Sequence, residues 1–395
     1  MKNKKPKLYK TLSSLLEGLG WKDKRHLDTF VWIVLGLIES SVINLTQWVP
    51  FVQSRATFAQ STVRRFSRFL ANRRIRVSHL YGALIKKALA NWGENVLYVA
   101  LDTSMLWNRF CLIRLSVVYR GRAVPLLWLI LRHKSASVKF NKYRPLLARA
   151  VNLMPANCKI VLLADRGFVC LDLMRYIKTI PNWHFRIRGK KSLNAYRLGK
   201  RGGFCKQKIG ASNGSARFYH NIYLGDEYFG EVHIAFARLR GSREYWYIIS
   251  DEPTSEKTFD EYGLRFTIEE NFLDDKSNGF QLESSLIRSA SALNKLCFAL
   301  AVATLFLTAQ GEKVVDSGKR RYVDPHWFRG LSYLKIGWEW VKSATARGFR
   351  LISNIYLSGL PDSEPAKPYK NYKKPLPSAK NFICEFCILL SAETA

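Results

Sequence analysis

Apolar residues recur with two different periods along this chain, and the period changes near residue 95. Before that point they lie three and four positions apart, as in 12–19, 29–45 and 63–70. This spacing is typical of helices that bury one face. The pattern therefore predicts an all-helical N-terminal domain over residues 1–92.

After residue 95 the apolar runs become short and are separated by turn-like residues such as Asn108 and Gly121. Three runs predict consecutive strands, and helices and strands then alternate. The predicted strands are 96–106, 111–119, 123–131, 159–164 and 184–188, and the predicted helices are 141–153 and 171–178. Hairpin-connected strands followed by this alternation indicate an α/β fold with a mixed sheet.

A stretch rich in Gly, Arg and aromatic residues, about 193–255, interrupts the alternation. Strands are predicted within it, so it is interpreted as a β-rich insertion. These strands are 217–224, 231–238 and 244–250. Helical spacing then returns at 258–275 and 282–309. The central domain, with its insertion, is therefore expected to span 93–310.

The last region, 311–395, is basic, aromatic and finally rich in Pro and Lys, and we expect it to be loosely ordered. Two stretches, 30–45 and 297–309, are apolar enough to resemble membrane spans. Glu39 interrupts the first, and the second is too short to cross a bilayer. Both are predicted to be buried helices, and no membrane partner is expected.

The net charge of the chain indicates what kind of partner it binds. The chain has 395 residues, and its 63 Lys and Arg against 30 Asp and Glu give a formal net charge of +33. Such an excess repels itself unless a polyanion neutralises it, and a long polyanionic partner is usually nucleic acid. A ribosomal protein or a merely soluble basic protein is the alternative. The 48% hydrophobic content excludes a disordered chain.

Cysteine usage and the chain start indicate a cytoplasmic protein. The seven cysteines are odd in number and scattered, which suits reduced thiols. No apolar signal core follows the basic start, so secretion is not expected. Cys384 and Cys387 form a CxxC pair without a second ligand pair, so no zinc site is expected there.

A basic stripe is predicted on the third N-terminal helix. Arg64, Arg65 and Arg68 are spaced along one side of it, behind a hydroxyl N-cap at Ser61, and a second basic run follows at 73–76. A helix that faces DNA phosphates needs such a stripe. A solvated helix face is the alternative.

Two acidic residues lie on or directly after buried strands. Asp102 interrupts an apolar run, and Asp165 ends another. A carboxylate in that position is costly to desolvate and usually has a cation as partner. If the strands are neighbours, a hard divalent metal would relieve the repulsion between the carboxylates. Two unrelated residues, one capping a turn and one in a salt bridge, are the alternative.

A polar stripe is predicted on the helix at 258–275. Its members are Tyr262, Arg265, Glu269 and Lys276, at offsets of 0, 3, 7 and 14. At about 100° per residue they fall within roughly a 60° sector, whereas Glu270 lies on the flank. A carboxylate between cations and a phenol suits a metal ligand surrounded by phosphate contacts. A solvated helix face is again the alternative.

This spacing, Tyr-x2-Arg-x3-Glu-x6-Lys, resembles the signature of the insertion-sequence-four (IS-four) type of bacterial DDE transposase. Asp102 in Leu-Asp-Thr-Ser and Asp165 in Ala-Asp-Arg resemble the family's first and second Asp. Residues 246–253 are similar to the strand before the signature helix of the Tn-five transposase. The resemblance covers about residues 96–309, and the four-residue spacing is its specific part.

The resemblance implies an RNase H-like core with a β-rich insertion, preceded by a helical DNA-binding domain. Asp102, Asp165 and Glu269 would be the catalytic residues and would hold two Mg²⁺ ions, with Mn²⁺ able to substitute. The implied partners are double-stranded DNA, both terminal inverted repeats and target DNA, and a second copy of the chain. The C-terminal region is implied to make the dimer contacts.

The implied reaction is cleavage at the element's ends through a hairpin, followed by strand transfer. Arg265 and Lys276 would contact phosphates near the scissile bond, and Tyr262 a phosphate beside the hairpin. Trp246 resembles the residue that stacks on a flipped base; a core Trp on a strand is the alternative. Two other functions fit the sequence: an inactive or domesticated DNA-binding protein, and an RNase H-like nuclease.

Overall fold

The computed structural model describes residues 5–54, 56–240, 244–277, 279–366 and 383–385. The N-terminal region is helical, as predicted, and the apolar residues of its helices pack into the core; in the second helix the buried residues run without a break from Thr29 to Ile38. Its α-helices are α1 (Lys7–Leu16), α2 (Lys24–Ser40), α3 (Ala59–Ala71) and α4 (Val77–Leu89). The hydroxyl cap predicted at Ser61 is wrong, since α3 begins two residues earlier and its N-cap, Phe58, makes no side-chain cap.

The central sheet confirms the predicted mixed α/β organisation. Its strands are β1 (Leu97–Leu106), β2 (Phe110–Tyr119), β3 (Arg122–Arg132), β4 (Ile160–Ala164) and β5 (Trp183–Arg188), with α5 (Phe140–Val151) and α6 (Leu171–Lys178) between the later ones. Their order is β3-β2-β1-β4-β5. β1, β4 and β5 run parallel, and β2 is antiparallel to both of its neighbours.

The β-rich insertion extends this sheet beyond β5. It contributes β6 (Ala195–Leu198), β7 (Phe204–Lys206), β8 (Ser215–Leu224), β9 (Phe229–Arg238) and β10 (Tyr245–Ser250). β10 lies antiparallel to β5, and the order continues as β9-β8-β6-β7. The short strands β6 and β7 were not predicted, because they hold few apolar residues. A further strand, β11 (Ile383–Glu385), pairs with β8.

The helix predicted at 258–275 is broken. α7 (Glu256–Gly263) and α8 (Thr267–Lys276) are separated by a 3₁₀ turn (Leu264–Phe266). A 3₁₀ turn winds at about three residues per turn rather than 3.6. The single 60° sector predicted for the four signature residues is therefore wrong. The side-chain contacts of the four signature residues, rather than one helical face, define where each of them lies.

The C-terminal half contains two long helices, so the loose order predicted after residue 310 is wrong for the part that they form, up to residue 347. Residues 367–382 and 386–395, which include most of the Pro- and Lys-rich stretch and Cys387, lie outside the described residues. α9 (Ala290–Asp316) runs through that predicted boundary, and α10 (Tyr333–Arg347) packs across it. The helices touch at glycines: a Cβ on Gly337 would lie 1.8 Å from the Leu307 carbonyl oxygen. Such contact lets two backbones meet where any side chain would hold them apart.

α9 has the length and apolar composition of a membrane span, but 89% of its most apolar window is buried inside the protein. The apolar stretch predicted at 297–309 is thus part of a helix of 27 residues. Phe298 stacks on Phe30 of α2 at 4.1 Å between ring centroids. The N-terminal helices therefore share one hydrophobic core with α9.

Candidate active site

The two aspartates belong to neighbouring parallel strands, Asp102 within β1 and Asp165 directly after the end of β4. Leu101 of β1 is paired with Ala164 of β4, so Asp102 and Asp165 are the next residues on each. The Asp102 side chain is 18% exposed, and its Oδ1 accepts a hydrogen bond of 2.7 Å from the Thr103 backbone N–H. The strand register thus brings together two residues that are 63 positions apart in sequence.

Arg265 joins the third acidic residue to this pair. Its Nη1 donates to Asp102 Oδ2 at 3.0 Å, and its Nη2 donates to Glu269 Oε1. The residue is only 3% exposed, and its guanidinium lies over the Phe266 ring. Arg265 therefore bridges a carboxylate on the sheet and a carboxylate on α8. The phosphate contact of Arg265 stays a prediction.

Tyr262 approaches the same site from α7. Its hydroxyl lies 3.5 Å from Asp165 Oδ1, and the residue is fully buried. Burial raises the pKa of Tyr262 above its usual value, so the hydroxyl stays protonated and can only donate to that carboxylate. Tyr262, Arg265 and the three acidic residues thus form one connected cluster.

Burial also raises the pKa of Asp102, and the charges of Glu269 and Asp165 raise it further. Arg265 opposes this increase, since it favours the ionised carboxylate. One guanidinium faces three carboxylates, so negative charge is left over at the site. That excess favours an added cation.

The types of ligand at this site suit a metal ion better than their arrangement in the structure does. Three carboxylates supply the oxygen ligands that Mg²⁺ prefers. Within the described ranges, however, no group of three or more His, Cys, Asp or Glu is assembled to hold a metal ion. In this arrangement the Arg265 guanidinium supplies the positive charge between Asp102 and Glu269.

Lys276 ties the end of α8 to β1. Its Nζ donates to the Met105 carbonyl oxygen at 2.6 Å and lies 3.5 Å from Glu283 Oε1. The side chain is 25% exposed, so a phosphate can reach it only at the rim of the site.

Trp246 is buried rather than displayed. It is 3% exposed on β10 and meets the Tyr262 ring edge-on at 5.3 Å between centroids. Phe259 and Phe266 complete the packing around it. No base can stack on Trp246 in this state, so the alternative of a core Trp describes its surroundings.

Two buried arginines, which the sequence analysis did not single out, hold the signature helices on the sheet. Arg114 of β2 bonds Asn271 at 2.8 Å and lies 2.5 Å from Asp275, both on α8. Arg186 of β5 lies 2.8 Å from Glu261 on α7. Arg114 interrupts an apolar strand just as Asp102 does, and that was the signal available in the sequence.

The basic stripe on α3 is divided. Arg64 and Arg68 are exposed, whereas Arg65 turns inward, with its Nη1 4.0 Å from Asp28 Oδ2. Burial lowers the pKa of Arg65. The following run has a more open setting, because Arg73, Arg74 and Arg76 line a cavity of about 720 Å³ together with Lys22 and Asp23. The N-terminal helices thus present cations in more places than the predicted stripe.

No protein-family model and no curated protein matches this sequence. One similar solved structure is described as "Cryo-EM structure of piggyBac transposase synaptic complex with hairpin DNA". It is 9% identical over 90% of this chain and 84% of that chain, with a TM-score of 0.44. A similarity of this size does not establish a common activity.

Proposed function

We propose that this protein is a DDE-type transposase of the IS-four type, a metal-dependent nuclease and strand transferase acting on DNA. The observation that carries the proposal is the cluster of Asp102, Asp165 and Glu269 around Arg265 and Tyr262. These residues come from three separate parts of the chain. The signature spacing singled out Tyr262, Arg265 and Glu269, and the apolar runs around Asp102 and Asp165 singled out the two aspartates. A net charge of +33 supports DNA as the substrate.

An RNase H-like core is part of the proposal. It is supported by three antiparallel strands, β1 to β3, followed by β4 and β5, which run parallel to β1. Asp102 and Asp165 each come one residue after the last pair of the parallel β1–β4 ladder, which is Leu101 with Ala164. The β-rich insertion enters the chain between Asp165 and Glu269, as the family resemblance implies.

Asp102, Asp165 and Glu269 would hold two Mg²⁺ ions, or Mn²⁺ in their place. When bound, such ions lower the pKa of an attacking hydroxyl and stabilise the leaving oxygen of the phosphodiester. Binding requires Arg265 to leave Asp102 and Glu269. The freed guanidinium then becomes available to a DNA phosphate, for which its planar donors are well suited.

The proposed reaction is the one that the family resemblance implies for these residues. Water attacks the phosphodiester at the element's end and leaves a 3′ hydroxyl. That hydroxyl attacks the opposite strand and closes a hairpin, a second water opens it, and the 3′ hydroxyl finally attacks target DNA. Lys276 and Tyr262 would orient phosphates beside the reacting one. We also propose that two copies act together on the terminal inverted repeats, in the cytoplasm.

One observation favours a second function. A DNA-binding protein without activity would have to neutralise the same carboxylates without metal, and Arg265 does so for Asp102 and Glu269. An RNase H-like nuclease would differ from a transposase in its substrate and in carrying out no strand transfer. Titration of divalent metal against cleavage separates an active enzyme from an inactive binder.

The experiment uses a labelled duplex that carries the inverted repeats flanking the coding sequence. We expect Mg²⁺-dependent cleavage by the wild type, and none by Asp102→Asn or Glu269→Gln, because each removes a metal ligand. Both variants should still bind the duplex. Glu270→Gln is the matched control, since Glu270 is the next residue and pairs with Arg122 instead.

Normal cleavage by either variant would rule out the metal-ligand role of that residue. Binding without cleavage by the wild type, at every Mg²⁺ and Mn²⁺ concentration, would favour the inactive DNA-binding protein. Cleavage of an RNA–DNA hybrid, but not of the duplex, would favour the nuclease.

A further inference from the structure

A basic cavity of about 740 Å³ lies beside the candidate active site. It is formed by the end of β3, the start of α5 and the segment after β4. Arg132, His133, Lys139, Lys142 and Lys190 line it, and no acidic residue does. Ser137 adds a hydroxyl to the same wall.

The walls of the cavity adjoin both segments that carry the aspartates. Gly167 lines the cavity and stands two residues after Asp165. On the other side, Thr103 follows Asp102 and donates through Oγ1 to the Ala136 carbonyl oxygen at 3.1 Å. The loop that carries His133 and Ser137 is therefore attached to β1, the strand of Asp102.

The cations of this cavity lack acidic partners in the part of the chain that the structure describes. Among the residues that the structure describes, none of Arg132, Lys139, Lys142 and Lys190 forms an ion pair, and all four are exposed. Other surface cations here do find acidic partners; Arg175, for example, lies 3.2 Å from Asp172. Four positive charges around one hollow repel each other unless an anion enters.

Two of the lysines also lie where their charge interacts unfavourably with α5. Lys139 is the N-cap residue of α5, and Lys142 lies in its first turn, which contains no acidic residue. A cation at a helix N-terminus interacts unfavourably with the helix dipole. The stability of α5 therefore does not explain these residues. An anion bound in the cavity does, because it interacts favourably with both.

We infer that this cavity is a subsite for the phosphodiester backbone of DNA, next to the phosphate that reacts. The inference rests on the proposed function, since the carboxylate cluster fixes where the reacting phosphate lies. Cations and a hydroxyl contact phosphate oxygens and do not distinguish bases. The subsite therefore holds the strand in register without selecting its sequence. A hollow that opens beside the acidic cluster suits a continuous strand better than a small free anion.

The test measures binding of a short fluorescent DNA duplex of arbitrary sequence, with EDTA present so that no cleavage occurs. The double variant Lys139→Gln/Lys142→Gln should bind more weakly and with a smaller salt dependence. Loss of two phosphate contacts lowers the slope of log K against log salt by about 2. The ratio of the wild-type binding constant to that of the variant should then fall roughly tenfold between about 50 and 200 mM salt.

The matched control is Lys86→Gln/Lys87→Gln, which removes the same charge from two exposed lysines of α4. Neither residue lines the cavity, so the control should keep the wild-type slope. Chemical acetylation adds a local readout: the duplex should protect Lys139 and Lys142, whereas inorganic phosphate at matched ionic strength should not.

Equal slopes for the wild type and the Lys139/Lys142 variant would overturn the subsite. Protection by inorganic phosphate alone would overturn it too, because the cavity would then be a small-anion site. Neither result depends on catalysis. A protein that binds DNA through the cavity but never cleaves it would keep the subsite and lose only the proposed reaction.

Discussion

Arg265 has a partner that the sequence did not predict. The signature spacing placed it near Glu269, to which it donates, and it also donates to Asp102 on the sheet. A buried guanidinium needs acidic partners because an unpaired buried charge is very costly. Without metal, these carboxylates are the partners within reach.

Asp274 gives a prediction about pH. Burial raises its pKa from 3.8 to about 6, so the folded state holds a proton that the unfolded state has already lost. Stability should therefore fall as the pH rises from about 4 to about 6, by about 3 kcal/mol. Asp274→Asn removes this dependence. The free energy of unfolding of the variant, relative to that of the wild type, should therefore increase as the pH rises from about 4 to about 6. Urea unfolding at a series of pH values measures the difference, and a constant difference would contradict the assignment.

Trp246 gives a second prediction at this scale. Because it is buried against Tyr262, Trp246→Ala should lower the free energy of unfolding by about 3–5 kcal/mol. Nicking and hairpin formation should then decline together, since the fold around Tyr262 is weakened. Trp246→Phe keeps an aromatic ring and should lose less of both. If Trp246→Ala has wild-type stability and loses only hairpin formation, the base-stacking role of Trp246 is supported instead.

At the scale of elements, the position of α8 determines where Glu269 lies. α8 is attached to β2 through the buried pair of Arg114 and Asp275, and Arg114 stands opposite Asp102 in the strand register. One residue of β2 therefore contacts the helix that carries Glu269 and neighbours the strand that carries Asp102. This makes Arg114 a positioning residue for the cluster.

Arg114→Met should destabilise the protein by about 3–5 kcal/mol, because it leaves Asp275 charged, buried and unpaired. The double variant Arg114→Met/Asp275→Leu removes both charges and should recover most of that loss. Chemical denaturation of the two variants and the wild type measures the effect. If the double variant is no more stable than the single one, the ion pair is not the source of the loss.

For the whole molecule, the shared core predicts cooperative unfolding. Phe30 of α2 stacks on Phe298 of α9, and Tyr81 of α4 meets the same ring edge-on. The N-terminal helices therefore cannot lose their structure without exposing α9. Tryptophan fluorescence and circular dichroism should report one coincident transition in urea. Two separate transitions would instead support an independent domain at 1–92.

Much of the fold could be predicted from the sequence because strand and helix periods depend on neighbouring residues. The five strands of the central sheet were predicted to within a few residues, and so were α5 and α6. Asp102 and Asp165 stood out for the same local reason: an acidic residue within or after an apolar run is costly to bury. The spacing from Tyr262 to Lys276 likewise needed no tertiary information.

Other features depend on contacts between distant parts of the chain, so the sequence alone could not determine them. The 3₁₀ turn between α7 and α8, the burial of Trp246 and the inward direction of Arg265 are set by packing against the sheet. The same holds for α9, which continues past residue 310 because α10 and the N-terminal helices cover it. Local spacing determined which residues belong to each element, whereas the tertiary structure decided which of them meet.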